Sequence, residues 1–115
     1  MKKFMTAVVM ATAFSSFGVL ADQGADASEM HREYMQSMIG MKESMHQGVM
    51  NEDPDIAFAS GMLPHHVGAV DMARIELKYG RDPQMRKLAE QIIAAQDAEI
   101  AEMKAWLKQH SAQTP

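Results

Sequence analysis

Methionine and histidine are the side chains of this sequence with donor chemistry, and they are clustered. The stretch Gly61-Met62-Leu63-Pro64-His65-His66-Val67-Gly68-Ala69-Val70-Asp71-Met72 sets two adjacent imidazoles and two thioethers in an otherwise apolar run. At about 100° per residue in a helix, Met62, His65 and His66 fall within roughly a quarter turn of one another, so three soft or borderline donors are expected in one sector. Such a set can close on a metal ion. Met72 shares the stripe of His65 but stands about 10 Å further along the axis, whereas metal–ligand bonds run about 2.0 to 2.3 Å. It needs a second site or another helix. Two i,i+4 pairs, His31–Met35 and His46–Met50, flank Met41 and Met45 and widen the candidate ligand set.

Donor softness selects the metal. Thioether and imidazole without thiolate favour Cu(I), with Ag(I) as its mimic, while Cu(II) would lean on the histidines and Glu99. A zinc site built with methionine is not expected. A di-iron carboxylate bundle requires two Glu-x-x-His motifs and two further glutamates. Glu43-Ser44-Met45-His46 supplies one motif, but Met62-Leu63-Pro64-His65 has Met where Glu would stand, so that count fails. Because histidine must be neutral to ligate, affinity is expected to fall below about pH 6.5.

Two other function classes compete. Methionine fills gaps in cores and makes adaptable surfaces, so the same residues would suit a metal-free module that binds a partner helix. A copper-dependent redox enzyme would need an open coordination position and a pocket beside His65. No catalytic residue stands out, and a binding role without a catalytic step is the expectation.

The chain has 115 residues, 13 of them Met, with no Cys and a formal charge of −4. One domain is expected. Lys2 and Lys3, the apolar run Phe4 to Phe14 and the small-residue sequence Val19-Leu20-Ala21 read as a secretory signal peptide over residues 1–21. The apolar run is too short and too interrupted by Ser and Thr for a membrane span. Removing the leader removes two lysines and leaves a more acidic chain, which argues against nucleic acid and anionic membrane as partners. Export to an oxidising compartment suits thioethers, which form no disulfides.

Three helices should carry these donors. Residues 22–27 read as a disordered segment, with Ser28 capping a helix from Glu29 to about Met50. Its stripe Met30, Tyr34, Met38, Met41, Met45 and Val49 is expected to be buried, with His31, Met35, Ile39, His46 and Met50 beside it, and Glu33 and Ser37 on the solvated arc. Asp53-Pro54 caps a second helix that Gly80 closes, and Pro64 should kink it beside the histidines. Asp82-Pro83 repeats the cap for a third helix to about His110, whose buried face is Leu88, Ile92, Ile93, Ile100, Met103, Trp106 and Leu107. Arg86 should face water. Gln96 and Glu99 lie on or beside that apolar face and call for a polar partner. Residues 28–110 thus form the bundle, and 111–115 a disordered tail.

Phe58-Ala59-Ser60-Gly61-Met62-Leu63-Pro64-His65-His66, then Ala69-Val70-Asp71-Met72-Ala73, then Gln96-Asp97-Ala98-Glu99-Ile100-Ala101-Glu102-Met103 resembles the CopM-like family of small exported proteins, catalogued as domain of unknown function 305. The resemblance covers about residues 55–107. It implies a ferritin-like helical bundle that binds copper in the periplasm and contributes to copper tolerance. It also implies Met62, His65, His66, Met72, Glu99 and Met103 as ligands or their supports. Where many members have Gln after the His pair, this chain has Val67.

The expected molecule is therefore all-α, an antiparallel bundle of three to four helices, completed by a second subunit or by the uncleaved leader helix. It would sequester copper or hand it to another periplasmic copper protein, with His65 and His66 anchoring the tightest site.

Overall fold

A computed structural model of the chain describes residues 17–110, with side chains described at Gly24 and from Asp26 onward. Three α-helices follow one another: α1 (Phe17–Gly48), α2 (Pro54–Tyr79) and α3 (Pro83–His110). Among the described residues there is no strand, and no helix is long and apolar enough to cross a membrane. Residues 1–16 of the expected leader and the tail 111–115 lie outside the described residues.

Both inter-helix breaks are written in the sequence. Asp53 has extended backbone and its carboxylate accepts from the N–H groups of Asp55 at 2.8 Å and Ile56 at 3.1 Å, with Pro54 opening the helix. Asp82 does the same for Gln84 and Met85, both at 3.0 Å. Gly80 ends α2, but not through a left-handed residue: its φ is −72°, and its N–H donates to the Glu76 carbonyl at 2.6 Å. The place a Cβ would take at Gly80 is filled by the Glu76 carboxylate, the far end of a flexible side chain that can swing aside.

The start of α1 differs from the expectation. Residues 22–27, expected to be disordered, are helical, and Ser28 is no cap. Its hydroxyl donates to the Gly24 carbonyl at 3.0 Å, the i−4 back-bond that serine makes inside a helix.

α2 is the centre of the bundle. α1 packs along one side and α3 along the other, each antiparallel to α2. The buried apolar residues are small or β-branched: Ala59, Val70, Ala73 and Ile75 on α2 and Ala89 on α3. The helices can approach closely because glycines line the α1–α2 seam. A Cβ on Gly61 would lie 2.6 Å from the Val49 side chain, and one on Gly68 would lie 2.5 Å from the Met41 sulfur. Gly48 meets the Ser60 carbonyl. That carbonyl has no i+4 donor, because position 64 is proline. The helix runs through Pro64 without a break.

The inward face of α1 is rotated from the expected one. Met30, Tyr34, Met41 and Met45 are half-buried, together with Glu33, Ser37 and Gly48. Met38 and Val49 are exposed. The rotation has a polar cause: Glu33 accepts from the Lys78 ammonium and from the Tyr79 hydroxyl, the latter at 3.0 Å. Those bonds hold the carboxylate toward α2. Arg86 corrects a second expectation, since it is half-buried and donates to the carbonyls of Leu77 at 2.9 Å and Gly80 at 3.0 Å. Leu88, expected inside, is exposed, and Ala89 takes the buried place beside it.

Candidate functional site

Donor side chains from α2 and α3 converge on an open groove of about 640 Å³ between those helices. Met62 and His66 come from α2, and Glu99 and Met103 from α3. The spacing explains the convergence: Met62 and His66 are i,i+4 on one helix face, Glu99 and Met103 are i,i+4 on the other, and the antiparallel register sets the pairs side by side. Phe58, Ala59 and Trp106 form the apolar end, and Asp55 and Glu102 the rim.

His66 is oriented at both ring nitrogens. Nδ1 lies 3.0 Å from the Met62 carbonyl, which can only accept, so Nδ1 carries a proton and donates. Nε2 faces the Glu99 carboxylate, a contact between two acceptors that needs a proton between them, so a metal ion bound at Nε2 would take that proton's place. The imidazole side chain is 13% exposed, whereas the Glu99 side chain is 57% exposed and reaches the pair from solvent. Glu99 is thus not the buried carboxylate expected, although it has the histidine partner expected of it. Gln96, one turn earlier on α3, is half-buried, and its buried amide oxygen has no hydrogen-bond partner among the described residues.

Other sequence-selected residues do not join this group. His65 is exposed, with its ring centroid 5.9 Å from that of His66 and tilted by 60°. The roughly 100° between successive helical residues separates the two, and His65 does not line the groove. Met72 is exposed two turns further along α2. On α1, Met41 and Met45 are half-buried, while His31, Met35 and His46, and Met50 in the turn that follows, are exposed and do not line the groove. Among the described residues no three His, Cys, Asp or Glu side chains group together as a metal site.

Glu102 and Trp106 lie in the groove without having been singled out as site residues. Their signal is in the sequence: Glu99, Glu102, Met103 and Trp106 form one i, i+3, i+4, i+7 stripe. Trp106 is further fixed by stacking on His110, with ring centroids 3.9 Å apart, and His110 Nδ1 donates to the Trp106 carbonyl at 2.7 Å.

Comparison with known proteins places these residues in a family. Uncharacterized protein L153 of Acanthamoeba polyphaga mimivirus is 36% identical over 59 residues, which is 51% of this chain and 39% of that protein. The chain therefore spans about two fifths of the length of that curated relative. The family model described as Domain of unknown function (DUF305) matches residues 55–115, a span that includes every residue of the groove. On that match, which covers more than half of its length, the chain belongs to the DUF305 family.

Proposed function

We propose that the protein binds copper, as Cu(I), in the groove between α2 and α3. In this reading it sequesters the ion or hands it to another periplasmic copper protein, without a catalytic step. The observation that carries the reading is the meeting of Met62, His66, Glu99 and Met103 from two helices around one opening. The donor set fits the ion: two thioethers and one imidazole are soft and borderline ligands with no thiolate among them. His66 is suited to ligate through Nε2, because its Nδ1 is already committed to a backbone carbonyl, an arrangement that fixes the tautomer of metal-binding histidines. Glu99 would balance charge or, with Cu(II), bind directly. Export, and hence a periplasmic site of action, rests on the leader read from residues 1–21. The ferritin-like comparison rests on the resemblance.

The test is a titration with Cu(I) and with Ag(I) of the parent, of Met62→Leu plus Met103→Leu, and of His65→Ala. Leu replaces Met with little change in volume, so the fold should survive. The double variant should bind at least about ten-fold more weakly, a loss of roughly 1.4 kcal/mol. His65→Ala should bind as the parent does. Equal affinity in parent and double variant would remove the groove as the site.

A second reading is favoured by one observation. Met35, Met38, Met50 and Met72 are exposed, which suits a metal-free helical interaction module. Saturating Ag(I) separates the two, since a ligand at a hundred times its Kd stabilises by about 2.7 kcal/mol and a module without a site would show no shift.

A further inference from the structure

We infer that the face of the bundle carrying the groove mouth is covered by a second copy of this chain, related by a two-fold axis running along α2. The three helices lie as a layer rather than a closed triangle, since α1 and α3 each pack along α2 and scarcely on each other. Such a layer has two broad faces, and helical phase assigns the side chains to them. Taking the α1 contacts at Gly61 and Gly68 and the α3 contacts at Met62 and His66 as reference, steps of about 100° put Phe58 and Met72 of α2 on one face. Met35 and Met38 of α1 and Leu88 of α3 point to that same face. All five are exposed, Phe58 at 65% and Met35 at 54%. Arg74, Lys78, Asp97 and Lys104 fall on the opposite face. The same steps put His65 and Glu76 of α2 on the face of Phe58 and Met72 and exposed Val67 on the other, but only the first carries large apolar side chains from all three helices, as an interface would.

Charge identifies the occupant. Lys42 of α1 and Glu102 of α3 are both exposed on the apolar face, at its opposite edges, and among the described residues neither has an ion-pair partner. Their levels along α2 agree within about one helical turn: Met41 stands beside Gly68, His66 beside Glu99, and Glu102 lies one turn from Glu99. His46 adds to the α1 edge and Glu99 to the α3 edge. A two-fold axis along α2 sets the α1 edge of each copy on the α3 edge of the other, at matching height. Basic groups then meet acidic ones twice. A two-fold axis across the helices would instead stack α1 on α1 and α3 on α3, opposing like charges. Of the two arrangements only the first sets these edge charges against their opposites. In that arrangement α1 of each copy also roofs the groove of the other.

The experiment is sedimentation equilibrium on metal-free protein at several concentrations up to about 100 μM, with circular dichroism as a check on helicity. The parent should be a dimer. Met38→Glu plus Met72→Glu should be monomeric with helicity retained. Lys42→Glu and Glu102→Lys should each weaken dimerisation by about ten-fold or more, and the chain carrying both should regain most of the loss, because the reversed charges again oppose each other. A parent that stays monomeric throughout, which would leave the face to some other protein, overturns the inference. So does a double charge reversal no better than its single variants. The absence of metal makes the result independent of the copper reading.

Discussion

Gly40 and Gly48 are both helical glycines of α1, yet their surroundings make opposite predictions. A Cβ at Gly40 meets nothing within 4 Å, so Gly40→Ala should only restore helix propensity and stabilise by about 0.5 to 1 kcal/mol. At Gly48 the same atom would run into the Ser60 carbonyl and approach the Gly61 nitrogen at 2.8 Å. Those are backbone atoms, which do not swing aside. Gly48→Ala should therefore destabilise by about 1 to 3 kcal/mol despite the better propensity. Thermal melts of the two single variants check this, and equal shifts would refute the packing account. The residue scale also shows where the sequence was ambiguous. Met62 and His66, one turn apart, were legible as neighbours. His65 was grouped with them because a quarter turn is within reach of a long side chain, but α3 lies on the His66 side and leaves His65 in water.

The ends of α2 and α3 were readable in advance because Asp-Pro is a local signal with a local mechanism, and both aspartates cap as their positions predict. What closes α2 was not readable. Arg86 comes from the next helix and supplies donors to the Leu77 and Gly80 carbonyls, which no residue of α2 itself can reach. A cation at a helix C-terminus also meets the negative end of its dipole. Arg86→Ala should thus cost about 1 to 2 kcal/mol, and Arg86→Lys should recover only part, since the two carbonyls are held by a single planar guanidinium nitrogen. Chemical denaturation of both variants measures it. If Ala and wild type unfold at the same denaturant concentration, the two bonds add nothing. Pro64 is the complementary case: it leaves the Ser60 carbonyl without its i+4 donor but does not end α2, and that carbonyl lies against Gly48 of α1.

The layer arrangement of the whole molecule follows from how α1 meets α2, and there the apolar pattern alone misled. A methionine stripe wide enough to bury in several phases leaves the rotation of α1 undecided, and a polar contact decides it. The Lys78 ammonium hydrogen bond holds the Glu33 carboxyl below the ordinary range for glutamate, against the opposing effect of burial. The same bond raises Lys78 above the ordinary lysine range. The signs give a window. Glu33 is depressed in the folded chain, so its stabilisation is present above its usual value of 4.5 and fades as pH falls through the lower folded value. Lys78 is raised, so its share is present below 10.5 and fades as pH climbs through the higher folded value. Between those limits Glu33→Gln should lower Tm. The gap between variant and parent should narrow below about pH 4, and also in high salt, because the pair is open to solvent. A gap that is the same at pH 3 and pH 7 would mean that Glu33 fixes α1 by shape and its bond to Tyr79 alone. The rotation would then owe nothing to charge, and the exposure of Met35, Met38 and Val49 would need another cause.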